Sequence, residues 1–274
     1  VNNRLFVADK PANISSNSFL RTIKRRYGVK KAGFSGTLDP FAKGVLIIAF
    51  GQYTKLFRFL KKTQKSYRAT LWLGASSPTL DIEKITQVKD VMPFHSDALK
   101  IVEKSMIGEI EYLPPKYCAK MVNGIRAYKL AREDKEFELK KIKSTIYDFK
   151  ILHYMHPFLT FEITISEGGY IRSIGQIIAQ KFGFDGALSY LERLSEGDFV
   201  YENEKALNPL KYLELQDNDY LGDIEDIELG RKLKVEDFEK QDEGLYKIVH
   251  AKELSVIEIQ NKEVKYILNK VELC

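Results

Sequence analysis

The feature that most restricts the fold is the run Val45-Leu46-Ile47-Ile48-Ala49-Phe50, the longest apolar stretch in the chain. It is far shorter than the roughly 20 residues that a membrane-crossing helix requires. Its β-branched content identifies a buried strand instead. The 274 residues, 44% hydrophobic and 30% charged, are enough to enclose such a strand in one large domain, or in a large domain with a small one attached.

Around this strand, strand-like and helix-like segments follow in irregular order. Leu5 to Ala8 reads as a short strand. Ser15-Ser16-Asn17 offers capping side chains to a helix carrying Leu20, Ile23 and Tyr27. Gly33 to Gly44 reads as a loop, Tyr53 to Lys61 as a basic helix and Tyr67 to Leu73 as a strand. Ala98 to Ile107 has helical periodicity, Lys116 to Met121 looks extended, and Ala127 to Glu133 suits a short helix. Strands are expected around Ser144 to His153 and Phe158 to Ser166, then a helix opening at Tyr170 with Ile174, Ile177 and Ile178 inward. Beyond Tyr201 the composition shifts: to Glu243 there are 14 acids against 6 bases. Short strands follow at Tyr246 to His250, Ser255 to Gln260 and Val264 to Leu268. Irregular alternation favours an α+β fold with a mixed sheet over a doubly wound one. The expected division is a domain at 1–215 and a small β-rich domain at 216–274.

Charge distribution is more informative than the formal net charge of +5. From Lys10 through Leu80 there are 14 basic residues and one acid, Asp39, leaving 29 bases against 37 acids elsewhere. Interleaved with these cations are Phe19, Tyr27, Phe34, Tyr53, Phe57, Phe59 and Tyr67. Cations that neutralise phosphates and aromatic faces that stack on unpaired bases suit RNA. A solvated helix face over core aromatics is the plainer alternative for any one helix. The lone carboxylate would repel phosphate on a pure RNA-binding surface, so it suggests chemistry or a local structural task. Surrounding cations should lower its pKa.

Two cysteines, Cys118 and Cys274, fit a reducing compartment without a disulfide framework. The opening Val1-Asn2-Asn3-Arg4 has no apolar signal region, so a cytoplasmic location is expected. His153 and His156 have strand-like neighbours and no further ligand nearby, so no metal site is expected. Gly36-Thr37-Leu38-Asp39-Pro40 holds its acid on a glycine-bracketed turn. An Asp-Pro pair is also a common turn or helix cap.

The stretch Gly33-Phe34-Ser35-Gly36-Thr37-Leu38-Asp39-Pro40-Phe41-Ala42-Lys43-Gly44-Val45-Leu46 closely resembles the signature loop of TruB-type pseudouridine synthases. Further blocks match that family in order. They are Asp9-Lys10-Pro11 with Ile14-Ser15-Ser16-Asn17, Gly51 with Thr54-Lys55, and Lys65-Ser66-Tyr67-Arg68. Pro115 to Lys120, Gly168 to Ser173 and Leu191 to Leu194 follow. The resemblance covers about the first 200 residues.

It implies the pseudouridine synthase fold, a largely antiparallel mixed sheet flanked by helices, with a PUA-like module at the C-terminus. It implies isomerisation of the T-loop uridine at position 55 of tRNA, without cofactor or metal, by a monomer that does not bind membranes. Asp39 would be the nucleophile, acting at the ribose, at C6 of the base or by way of a glycal. Arg172 would pair with Asp39, and Tyr67 would stack on the uracil and serve as a base. Tyr170 and Leu191 would line the pocket, and Lys10 would support the loop. Phe34 stands where the family commonly has His, Glu167 where Lys is frequent and Gly169 where Thr is. Phe34 would still wedge into the space left by the flipped base, without a hydrogen bond. Two rival readings are a non-catalytic RNA-binding or chaperone protein and a cofactor-free hydrolase using Asp39. The hydrolase would want a second carboxylate, and none lies in the basic stretch.

Overall fold

The computed structural model describes residues 3–274. Val1 and Asn2, part of the opening read for a signal region, lie outside the described residues. Among those described, no helix is long and apolar enough to cross a membrane.

The elements are β1 (Arg4–Lys10), α1 (Ser16–Tyr27), β2 (Ala32–Ser35), β3 (Lys43–Phe50), β4 (Gln64–Leu73), α2 (Ser96–Lys104), β5 (Gly108–Tyr112), α3 (Ala127–Arg132), β6 (Ile142–Met155), β7 (Phe158–Ser166), α4 (Ile171–Lys181) and β8 (Gly186–Glu196). One eight-stranded sheet runs β1-β3-β8-β4-β7-β6-β5, with β2 also paired to β3. Neighbours are antiparallel except β3 and β8, which meet in parallel at Lys43 with Glu192 and Gly44 with Arg193. The fold is the expected α+β type with a mixed, largely antiparallel sheet.

The apolar run is covered on both faces, which explains why it shows no polar alternation. Leu46, Ile48 and Phe50 pack with Phe19 and Ile23 of α1. Val45, Ile47 and Ala49 face Tyr53, Leu56 and Phe59, together with Leu254, Val256 and Val271 from the C-terminal strands. In β4 the inward positions Tyr67, Ala69, Leu71 and Leu73 alternate with partly or fully exposed Arg68, Thr70 and Trp72, the period of two of a strand. Those inward residues join Ile174 and Ile178 of α4 in a separate core cluster.

The C-terminal residues form a four-stranded sheet from Gln216–Asp217, β9 (Gly244–His250), β10 (Glu253–Gln260) and β11 (Glu263–Glu272). Its own core holds Ile227, Leu233, Phe238, Ile248 and Ile257. Backbone groups tie it to the large sheet: Asn3 Nδ2 donates to the Glu272 carbonyl at 2.8 Å, and the Cys274 N–H donates to the Tyr53 hydroxyl at 3.0 Å.

Four expectations change. The loop expected over Gly33 to Gly44 begins only at Gly36, because Ala32–Ser35 pairs with β3. Gly51–Phe59 is a 3-10 helix, wound tighter than the expected basic helix. Lys116 to Lys120 is bent and irregular rather than extended. The strand β8 was not expected at all. Ser15 does cap α1, its hydroxyl accepting from the Ser18 N–H. His153 and His156 are exposed at the β6–β7 hairpin, where His156 Nδ1 bonds the Tyr154 hydroxyl.

Candidate active site

Four separate anchors hold the loop from Gly36 to Ala42. The Ser16 hydroxyl, at the first turn of α1, accepts from the Leu38 N–H at 3.0 Å and donates to the Leu38 carbonyl at 3.1 Å. Lys10, fully buried at the end of β1, donates to the carbonyls of Pro11 at 2.9 Å, Ile14 at 2.8 Å and Pro40 at 3.4 Å. Burial lowers the Lys10 pKa to about 8, with Asp39 opposing. Arg193 of β8 donates to the carbonyls of Gly36 and Val45, both at 2.8 Å. The fourth anchor is Arg172, in the first turn of α4, which grips Asp39 itself.

The guanidinium of Arg172 meets both carboxylate oxygens of Asp39, Nε to Oδ2 at 2.8 Å and an Nη to Oδ1 at 3.1 Å. A paired fork of this kind fixes direction as well as charge. Arg172 is fixed in turn by the carbonyls of Thr79 at 2.8 Å and Tyr117 at 2.9 Å, and by Asp81 at 3.4 Å. Its side chain is 5% exposed, whereas that of Asp39 keeps 36% open. Burial is the largest influence on Asp39 and raises its pKa above the ordinary 3.8. Arg172 and Lys10 pull it down, and Asp81 pushes it up. The expected lowering by surrounding cations is therefore reversed, because lost hydration outweighs them. Arginine has only donors, so the form held in its fork is the carboxylate.

Asp39 opens onto two hollows. One, of about 210 Å³, is walled by Tyr67, Tyr170, Leu191, Lys65, Arg193 and Arg172. The other, of about 360 Å³, lies on the α1 and α3 side, with Asn17, Asp81, Tyr128 and Arg132. The structure thus brings together Asp39, Arg172, Tyr67, Tyr170 and Leu191, with Lys10 beneath the loop. Phe34 is elsewhere: it sits half-buried on β2, against the α1 cluster and off the pocket wall. Burial pushes the Tyr67 phenol up from its ordinary 10.0, Arg193 opposing and Glu196 adding, so Tyr67 is protonated at neutral pH. Burial raises Tyr170 as well, with Cys118 contributing.

Sequence reasoning missed Asp81, Arg193 and Glu196. Glu196 is fully buried, with Lys65 at 3.3 Å and Arg193 at 3.3 Å. These three link β4, β8 and the back of the Asp39 loop. Two glycines make this fit possible. A Cβ on Gly36, at φ +68°, would lie 2.6 Å from a Glu196 carboxylate oxygen. One on Gly44, at φ +106°, would lie 2.3 Å from the Arg193 carbonyl oxygen. Gly28 also has positive φ, +63°, but open space around it. Gly28→Ala should cost about 1 kcal/mol of backbone strain, and Gly44→Ala at least ~3 kcal/mol because backbone must move. Urea melts of the two variants check this; equal midpoints would contradict it.

Comparison with known proteins places the chain in a family. Residues 24–171 match the family described as TruB family pseudouridylate synthase (N terminal domain). The chain is 56% identical over 272 residues to the tRNA pseudouridine synthase B of Campylobacter curvus, covering 99% of this chain and 100% of that one. It is 53% identical over 269 residues to the enzyme of the same name from Sulfurovum, covering 98% and 97%. A solved H/ACA RNP bound to a substrate RNA containing 2′-deoxyuridine shares the fold, with a TM-score of 0.63 at 20% identity over 98% of this chain and 84% of that one. With the family match spanning more than half its length and relatives above 50% identity end to end, the chain belongs to the TruB family of pseudouridylate synthases.

Proposed function

We propose that the protein converts the uridine at position 55, in the T loop of tRNA, to pseudouridine, with Asp39 as nucleophile and the target base everted into the smaller hollow. Its relatives are named for isomerisation of uridine in tRNA. The observation that carries the reading is the Asp39 carboxylate, aimed by the Arg172 fork into a hollow walled by Tyr67, Tyr170 and Leu191. The N1–C1′ bond breaks, the base turns, a C5–C1′ bond forms, and a proton leaves C5 while N1 gains one. Nothing is added or lost overall, so the residues need only hold charge, orient the base and move a proton.

In this reading Asp39 makes the initiating attack, whether on the ribose, on C6 or by way of a glycal. Arg172 keeps it ionised and directed. Tyr67 stacks on the uracil. Being protonated at neutral pH, it takes part in the proton transfer as a relay and does not start as a tyrosinate. Tyr170 and Leu191 hold the base, and Lys10 fixes the carbonyl beside Asp39. Phe34, two residues before the pocket-lining Gly36, fills the space left in the RNA stack. Base eversion costs a few kcal/mol, which stacking and phosphate contacts offset.

We assign residues 1–215 to the catalytic domain and 216–274 to a PUA-like module. The strand Gln216–Asp217 supports that division by joining β9 and not the large sheet.

Asp81 supplies the second carboxylate that a hydrolase would want, but it is 2% exposed and bonded to Thr79, the Glu83 N–H and Arg172. It is committed to holding Arg172. Incubating the protein alone with unmodified tRNA should yield one pseudouridine, at position 55, and no free uracil. Released uracil would indicate a hydrolase; tight binding without isomerisation would indicate a non-catalytic RNA-binding protein.

A further inference from the structure

The cations of the basic stretch are not equivalent once folded. Lys10 is buried under the Asp39 loop. Arg26 pairs with Glu204, Lys43 with Glu192, Lys65 with Glu196 and Arg68 with Glu162. A different set borders a groove of about 750 Å³ along α1, formed with Ser18, Arg21, Lys24, Arg25 and Lys30. No acid lines that groove, and among the described residues none of these four cations is in an ion pair. Positive charge at the end of α1 complements the helix dipole, but that accounts only for its last turn. Arg21 precedes that turn, and Lys30 follows the Gly28 cap.

The groove's position relative to Asp39 gives it meaning. The first turn of α1 is fastened to the Asp39 loop through Ser16 and Leu38. Ser15, Ser16 and Asn17 line the larger hollow beside Asp39, and Ser18 begins the groove. At about 1.5 Å of rise per residue, Lys24 lies roughly 9 Å further along the axis than Ser18. A chain of negative charges leaving the catalytic carboxylate on this side meets Ser18, then Arg21, then Lys24 and Arg25.

We propose that the α1 groove is a phosphate track for the RNA strand leading away from the everted nucleotide. The contact is to the sugar-phosphate backbone and is blind to sequence. This rests on the reading of RNA as the substrate held at Asp39, and it names where the rest of that strand is gripped.

The test uses the full-length protein and a fluorescein-labelled T-arm RNA, with affinity measured by anisotropy across a salt series. The combined variant Arg21→Gln, Lys24→Gln, Arg25→Gln is compared with Lys100→Gln, Lys104→Gln, Lys181→Gln, which removes equal charge from α2 and α4. Each lost phosphate contact lowers the slope of log affinity against log salt by about 0.7–0.9. The α1 variant should lose about two units of slope and roughly 10- to 100-fold in affinity near 0.1 M salt. The control should lose neither. Lys30→Glu, outside the helix, should weaken binding about tenfold and serves if the triple variant unfolds. Equal slopes and affinities for the α1 variant and the control would overturn the track. Product formation is scored separately. An inactive wild type that still shows the α1 slope change would fault the isomerase reading alone, and an active one without it would fault the track alone.

Discussion

Asp39→Ala leaves the RNA bound and its uridine unconverted, with the single-turnover rate lower by about 10⁴-fold or more. Binding survives because the wall of the hollow does not depend on Asp39. Arg172 keeps the Thr79 and Tyr117 carbonyls and Asp81, and Leu38 and Pro40 keep Ser16 and Lys10. Filter binding and product mapping on one preparation check both halves. A near-wild-type rate would remove Asp39 from the reaction. The isosteric Asp39→Asn adds a stability readout. Burial raises the Asp39 pKa above 3.8, so the folded chain holds that proton more tightly than the unfolded one. The stabilisation from this linkage is present below pH 3.8 and is lost as pH rises through the raised value. An uncharged Asn carries no such loss, so the stability of Asp39→Asn relative to wild type should rise with pH through that value, although its amide meets the Arg172 fork less well than the carboxylate does.

Arg172→Met has the second large effect, on stability and on catalysis together. Its removal leaves Asp81, 2% exposed, without its cation, and frees two backbone carbonyls. Breaking a buried pair from one side costs about 3–5 kcal/mol, visible as a lowered urea midpoint. It also removes the main influence holding Asp39 ionised, so the Asp39 pKa rises further. The acid limb of the pH–rate profile, expected above that of an ordinary aspartate because burial raises Asp39, should move to higher pH. Arg172→Lys restores a charge but not a fork, so it recovers more stability than rate. An unmoved acid limb in Arg172→Met would show that Arg172 has no part in keeping Asp39 ionised.

What could be read from the sequence, and what could not, follows one physical rule. Tyr67 to Leu73 and the helix after Tyr170 were legible because their side chains obey the period of their own element, and Val45 to Phe50 because its unbroken, β-branched apolar run marks a strand buried on both faces. The strand β8 was not, because its inward positions include Arg193 and Glu196. Two charges at buried positions erase the apolar alternation that marks a strand, and only the folded chain supplies the partners that make their burial tolerable. The same two residues connect Tyr67 to the Asp39 loop, so the missed strand and the missed part of the site are one omission. Asp81 lies just beyond the basic stretch, and its contact with Arg172 joins positions 91 apart in the chain. Gly33 to Ser35 looked like the start of a loop because Gly33 and Ser35 suit turns, yet β3 offers them an edge. Tyr67, Arg172, Tyr170 and Leu191 were each placed by resemblance, whereas Asp39 also stood out as the lone acid of the basic stretch. Nothing in their spacing alone requires that they meet.

The place of β8 in the sheet also orders events during synthesis. It lies between β3 and β4 and pairs with β4 from Lys65 to Leu73. A nascent chain that has not yet emerged past Glu196 leaves one whole edge of β4 open, a template for pairing with the wrong chain. It also lacks Leu191 and Arg193, two walls of the hollow. Vectorial translation therefore delays the competent cleft until the closing strand slides home, and a ribosome-tethered fragment ending before Gly186 should be both inert and sticky.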